Sequence, residues 1–228
     1  MIKSKKPDFE SMEMIGNNEL VVFGSGSKSP ERDVFVHILL KDDLIIEKYN
    51  ISGFYSNLKK LNIFHDSELN IEATAFRDKQ IFLFNRKKNL VLTFNYLILL
   101  AYLKGEASFP IPYIQQFSLP KINGIEAGFS GATVLKNESK IIFTVSVENT
   151  NNAYKDGEIL GSFIGMINIT DNTVSPVINF CPIPNMEENL KVESVTVQEE
   201  VSIGKTKLIL ITDDDLGNSI LLESILLW

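Results

Sequence analysis

The sequence predicts an all-β protein of the β-propeller class. Three observations carry that reading. One type of segment recurs four times along the 228 residues. Short alternating apolar runs, joined by polar turns, fill the intervals. Strand follows strand, without the regular helices that a doubly wound α/β fold requires.

The recurring segments are "PDFESMEMIGNNELVVFGSGS" from Pro7, "LNIEATAFRDKQIFLFNRKKN" from Leu69, "NGIEAGFSGATVLKNESKIIFTVSVEN" from Asn123 and "KVESVTVQEEVSIGKTKLILITDDD" from Lys191. Each presents an apolar residue, a glutamate and a small residue, then a polar turn and a strongly β-forming run. The runs end in polar clusters: Ser25-Gly26-Ser27, Asn85-Arg86, Glu148-Asn149 and Asp213-Asp214-Asp215. The glutamates are Glu10, Glu72, Glu126 and Glu193, spaced by 62, 54 and 67 residues. That spacing exceeds a minimal four-stranded blade and leaves room for insertions. Blade repeats are expected over about 7–68, 69–122, 123–190 and 191–228, within one propeller domain spanning 1–228.

The strands can be placed in order. "RDVFVHILL" alternates, and "DLIIEKYNI" follows it after the turn Lys41-Asp42-Asp43. Comparable pairs are "NLVLTF" with "YIQQFSL", "GSFIGMINI" with "TVSPVINF", and "KLILIT" with "SILLESILL". Asn, Asp, Gly and Lys in the turns suit tight connections. "FYSNLKKL" (Phe54–Leu61) has helical spacing. "YLILLAYLKG" (Tyr96–Gly105) fits a helix closed by Gly105 or a strand, since periodicity is silent in so uniform a run. Only three strands are visible in the last repeat, and the first motif starts within ten residues of the N-terminus. Both features suggest that strands or a blade precede this sequence, giving five or six blades in the complete protein. A closed four-bladed ring is the alternative.

Composition bounds the function. Hydrophobic residues make up 44% and charged residues 22%, enough apolar material for a core. The net charge of −7 disfavours a nucleic-acid partner. The longest apolar run, Tyr96–Leu103, is too short to span a bilayer, and no signal peptide is visible. A soluble, cytoplasmic chain is the default, with a periplasmic or extracellular one if an N-terminal segment is missing. Cys181 is the only cysteine and reads as a small apolar strand residue.

The repeated glutamate is the strongest functional clue. A propeller's innermost strands line its central channel, so a residue repeated there lies on a ring. Four carboxylates on one ring repel and raise one another's pKa values. Calcium relieves that repulsion with six to eight oxygen ligands. Arginine does so too, and Arg32 and Arg86 lie near the right strand ends. Plain period-two alternation in "NIEATAF" is the competing explanation. The expected ligand set is therefore Glu10, Glu72, Glu126 and Glu193 for Ca²⁺. Ser25, Ser27, Arg32, Asn85, Arg86, Glu148 and Asp213 are the residues expected to meet a small ligand.

Several other strings admit two readings. "GSGSKSPERD" suits either an anion-cradling loop with Arg32 or a flexible turn. It lacks the ending of a P-loop. "ENTNNAYKDGE" carries Glu148, Tyr154 and Asp156 over a channel mouth, or is a turn closed by Asp156-Gly157. "TDDDLGN" is a cation contact or a solvated turn, and it is not an EF-hand. "GFSGAT" fails the nucleophile-elbow spacing, and His37 and His65 alone support neither a Ser-His-Asp machine nor a zinc site. His37 reads as a packed or edge histidine.

Taken together, "KPDFESM…LVVFGSGSKSPERD", "LNIEATAF…LFNR", "INGIEAGFSGAT", "VENTNNAYKDGE" and "KVESVTV…DDD" resemble a bacterial propeller family of unknown function, akin to esterase-like phytase and SdiA-regulated-type propellers. The resemblance covers nearly the whole chain. It implies five or six blades and a Glu-Gly-like or Glu-Ala motif in each, with calcium in the channel. Here Ser11, Ala73, Ala127 and Ser194 follow the glutamates where such relatives often have glycine, and no basic cluster suits a highly phosphorylated substrate.

Two readings follow. One is a propeller that binds a divalent cation or small ligand at its channel, or a protein as a non-catalytic scaffold. The other is a calcium-dependent hydrolase of phosphate esters or lactones, with Arg32 and Arg86 stabilising a developing anion. The missing base and nucleophile favour the first.

Overall fold

A computed structural model describes residues 8–65, 67–149, 157–186, 188–214 and 217–228. The described chain is all-β, and its sheets are the up-and-down meanders of a β-propeller. The first sheet runs in the order β1 (Phe9–Ile15), β2 (Glu19–Gly24), β3 (Val34–Leu39) and β4 (Ile45–Asn50). The second comprises β5 (Ile71–Arg77), β6 (Gln80–Asn85), β7 (Leu90–Asn95) and β8 (Tyr113–Gln116). A two-stranded hairpin, β9 (Lys121–Ile122) and β10 (Ile125–Glu126), precedes the third sheet. That sheet comprises β11 (Gly128–Leu135), β12 (Lys140–Asn149), β13 (Glu158–Thr170) and β14 (Thr173–Pro182). The fourth has three strands: β15 (Val192–Ser202), β16 (Lys205–Thr212) and β17 (Leu221–Leu227).

All ladders are antiparallel and join neighbours in sequence. Tight turns set the registers. Asp78-Lys79, Asn123-Gly124 and Asp171-Asn172 each place two consecutive residues at positive φ between paired strands. That is the mirror-image turn whose twist matches a hairpin.

Two helices interrupt the meanders. The helix α1 (Ser52–Lys59) buries Phe54, Tyr55 and Leu58. The helix α2 (Tyr96–Leu103) settles the ambiguous apolar run. Asn95 caps it by accepting from the Ile98 N–H at 3.2 Å, and Gly105 ends it at φ +81°.

The chain divides into two compact units, residues 1–114 and 115–228. The first unit's core gathers Phe23, Phe35, Phe54, Tyr55, Leu83, Leu92 and Phe94 between its two sheets and helices. There β6 and β7 are buried on both faces, which is why "IFLF" and "LVLTF" read as continuous apolar runs. In the second unit Ile142, Leu208, Leu210 and Val192 centre a core between the third and fourth sheets. No described helix is long and apolar enough to cross a membrane.

Candidate functional site

The first strand of each of the four larger sheets carries a β-bulge, and the bulge explains the repeat. In β1 the register passes from Phe9–Gly24 to Ser11–Phe23, which leaves Glu10 as the extra residue. In β5 it passes from Ile71–Asn85 to Ala73–Phe84, with Glu72 extra. In β15 it passes from Val192–Thr212 to Ser194–Ile211, with Glu193 extra. A bulged residue is unpaired in the ladder and re-aimed by the local twist, so a polar side chain sits there without breaking the alternation.

The third sheet differs. In β11 the register passes from Phe129–Val145 to Gly131–Thr144, so the bulged residue is Ser130. Glu126 lies earlier, in β10, is exposed, and accepts the Leu119 N–H at 2.9 Å. It is therefore not the structural counterpart of the other three. The string "IEA" suggested the wrong alignment. "FSG" in β11 is the match to "FES" in β1 and "VES" in β15, and the small residue after the bulge was the better guide.

Each bulged glutamate sits at a sheet end beside a polar cluster built from the end of the second strand. In the second sheet, the Glu72 carboxylate accepts from Asn70 Nδ2 at 2.5 Å and lies 3.9 Å from Arg86 Nη1. Asn85 is fully buried there. Its Oδ1 accepts the Asn70 N–H at 2.6 Å, and its Nδ2 donates to the Lys87 carbonyl. Asn85 thus organises the loop that presents Arg86.

At the first sheet, Asp8 pairs with Arg32, and Ser25 Oγ donates to Asp8 at 3.0 Å. Arg32 also donates to Ser27 Oγ at 2.8 Å. The glycines beside them have packing reasons. A Cβ on Gly24 would lie 2.4 Å from the Arg32 carbonyl oxygen, and one on Gly26 would meet the Tyr55 ring at 2.8 Å. Tyr55 is fully buried and donates to the Gly24 carbonyl at 2.5 Å, and burial pushes its hydroxyl pKa up. The N–H groups of Ser25 and Gly26 bond to the carbonyls of Asp8 and Arg32. The Gly/Ser string is therefore an internally bonded turn.

At the fourth sheet, Lys191 Nζ bridges Glu148 at 2.9 Å and Glu193 at 3.6 Å. All three side chains are at most 22% exposed. Asp213 is exposed, and its N–H donates to the Lys191 carbonyl at 3.1 Å. Asp214 accepts from Asn218 through both the backbone N–H and Nδ2, which closes the acidic turn on itself. Tyr154, Asp156 and Asp215 lie outside the described residues.

A cleft of about 530 Å³ adjoins this last cluster, lined by Ile159, Asn185, Met186, Glu188 and Asn189. Ile159 is the cross-strand partner of Glu148, and Asn189 stands two residues before Lys191. Asn185 Nδ2 donates to Asn189 Oδ1 at 2.7 Å, and Asn189 Nδ2 donates to the Ile159 carbonyl at 3.0 Å. Sequence reasoning missed these residues. The string "PIPNMEEN" carries no periodic signal, and its meeting with β13 is a long-range event.

A second polar cluster surrounds a buried histidine in the first unit. His37, on β3, is only 3% exposed. Its ring nitrogens lie 2.8 Å from Glu19 and 2.9 Å from Glu47. Tyr96 donates to Glu19, and Lys104 donates to Glu47 at 2.9 Å. Hydrogen bonds from His37 and then Lys104 hold the Glu47 carboxyl down at about 2. The packed-histidine expectation fits this arrangement. Cys181 is exposed on β14.

Among the described residues, no group of three or more His, Cys, Asp or Glu side chains is arranged to hold a metal ion. Glu72 and Glu193 instead stand beside cations of their own sheets.

Comparison with known proteins adds one identification. Residues 1–226 match the model described as "Family of unknown function (DUF6929)", and the chain belongs to that family. No curated protein matches the chain. Among solved structures, one titled "Structure of 2S albumin seed protein from Dolichos" is similar at a TM-score of 0.42 and 9% identity, over 96% of this chain and 94% of that chain. A likeness at that level carries no argument.

Proposed function

We propose that this protein is a binding propeller that takes a small polar ligand at the sheet end formed by Glu148, Lys191 and Glu193. The single observation that supports the reading is the cleft beside that cluster. Its wall combines two amides, a carboxylate and two apolar side chains, the mixture that orients a small ligand while excluding some water. Among the described residues near it stand three carboxylates, Glu148, Glu188 and Glu193, and the ammonium of Lys191. The described side chains are acidic in balance, which suits a ligand class rich in hydroxyl or amine donors.

The calcium ring of Glu10, Glu72, Glu126 and Glu193 is a separate proposal, on which a channel-centred hydrolase depends, and Glu126 lies off the bulge position that the other three share. Arg86 and Lys191 already neutralise two of these carboxylates, so a divalent ion would have to displace them. The binding reading therefore does not rest on a metal.

The test is a thermal-shift and ligand-observed NMR screen with polyols, sugars, amino sugars and polyamines, run with calcium and with chelator. A hit should weaken in Glu188→Gln and in Asn189→Ala and persist in chelator. A hit indifferent to both substitutions would place binding elsewhere. A calcium-dependent shift lost in Glu72→Gln would instead favour the metal reading.

A further inference from the structure

We propose that the outer edge of β17, which pairs with no further strand among the described residues, is a self-association surface, and that its occupant is a second copy of this chain, paired antiparallel about a two-fold axis through Ser224. The fourth sheet has three described strands where the other three sheets have four. An edge strand offers a row of unpaired N–H and C=O groups, and native sheets usually blunt it with charge, proline or shortness. The other outer strands do so. Glu47 and Lys48 interrupt β4, β8 has four residues, and β14 contains Pro176 and Pro182. By contrast β17, "LLESILL", has one charge and no proline.

The hydrogen-bond phase of β17 is fixed by its ends. The Thr212 N–H donates to the Ile220 carbonyl, and the Trp228 N–H donates to the Gly204 carbonyl. Both pairs belong to the same register as Lys205–Leu227 and Ile211–Leu221. Bonded and non-bonded pairs alternate in an antiparallel ladder. Even-numbered residues of β17 therefore bond to β16. Leu221, Glu223, Ile225 and Leu227 turn their backbone groups to the open edge.

A partner must match that phase, and a second β17 does. A two-fold axis at Ser224 sets Leu221 opposite Leu227 and Glu223 opposite Ile225, so every outward group meets an outward group. Leu222 then faces Leu226, and both already pack on the core of the second unit. That core would continue across the axis. On the other face Leu221, Ile225 and Leu227 are 60%, 56% and 67% exposed. Sliding the axis to Glu223 would oppose two carboxylates. Sliding it to Ile225 would shorten the overlap. The strand is nearly a palindrome in hydropathy, so the seven-residue register is the best of the phase-compatible ones. This is an isologous contact, which closes as a dimer and does not propagate.

The test reads mass by light scattering and sedimentation over a wide concentration range. The wild type should be a concentration-dependent dimer. Ile225→Pro removes a donor that β16 does not use, and should give monomer. The double variant Leu221→Lys, Leu227→Lys should do the same with an unchanged far-UV spectrum, and it decides the matter if the proline variant fails to fold. In a Cys181→Ser background, Ser224→Cys should form an intermolecular disulfide, because Ser224 faces its own copy at a non-bonded position with Cα atoms about 4.5 Å apart. A wild type monomeric at every concentration would overturn the proposal, including the case where another segment of the chain covers β17. So would a dimer indifferent to both edge variants.

Discussion

Within each unit the first strands of the two sheets meet in a seam, and the two seams are built differently. In the first unit β1 meets β5 through side chains. Thr74 Oγ1 donates to Ser11 Oγ at 2.7 Å, and the Phe76 N–H donates to Glu13 at 3.2 Å. In the second unit β11 meets β15 at backbone range. Ser130 Oγ donates to the Val192 carbonyl at 2.6 Å, and a Cβ on Gly131 would lie 2.9 Å from Ser194 Cα. Glu200 then accepts two backbone N–H groups, from Lys136 and Asn137. One bulge pattern therefore supports two kinds of contact. In the first seam both facing strands carry glutamate at the bulge, Glu10 and Glu72, whereas in the second β11 carries Ser130 followed by Gly131 and β15 carries Glu193.

The largest expected difference between the seams is in pH response. Burial pushes the Glu13 carboxyl up to about 8, against the opposing hydrogen bond from Phe76. The folded pKa lies above the unfolded value of 4.5. Above 4.5 the unfolded chain releases its proton while the native chain keeps it, so stability falls as pH rises to about 8 and the penalty is constant beyond. Allowing for solvent screening at a half-buried site, the loss is about 3 kcal/mol. Glu13→Gln keeps an acceptor for Phe76 and should be more stable than wild type at pH 9, with the gap closing near pH 4.5. Urea midpoints across that range check it. Parallel profiles would remove Glu13 from the account of the seam.

Next is the close approach in the second unit. Gly131→Ala brings a methyl against Thr144 Oγ1 at 2.6 Å and the β15 backbone. Overpacking of this kind costs about 2 kcal/mol. Ala73 holds the corresponding place in β5, so the same side chain is native in one seam and destabilising in the other. Equal stability of Gly131→Ala and wild type in chemical denaturation would break the contrast.

Ser130→Ala should cost about 1.5 kcal/mol, because the Val192 carbonyl loses its buried donor. Ser130→Glu, which copies the other bulges, should be worse, since the longer side chain must leave a fully buried site. Melting temperatures of the two variants check the order.

Much of this architecture was legible in the sequence. Alternation in "RDVFVHILL" and the turn residues Asp78-Lys79 and Asp171-Asn172 encode local geometry, so strands and hairpins could be placed. The three-stranded last sheet was legible for the same reason. The helix Tyr96–Leu103 was not, because eight apolar residues carry no period, and Asn95 as a cap was the available signal. The site was only half legible. A bulge is a property of two strands, so one strand's string could not show that Ser130 and not Glu126 holds the position. The full burial of Asn85 and the convergence of Asn185, Glu188 and Asn189 on β13 depend on contacts distant in sequence.

The smallest expected effect comes from the Ser11–Thr74 bond, and it tests the claim that the first seam is held by side chains. Both residues are buried. Thr74→Val removes the donor with little change of shape and leaves the Ser11 hydroxyl without that partner, costing about 1 kcal/mol. Ser11→Ala should cost a similar amount for the reciprocal reason. The double variant should cost less than the sum, because removing both polar groups together leaves neither stranded. Additive losses in the double-mutant cycle would mean that the two hydroxyls contribute independently. The first seam would then not depend on this pair acting together.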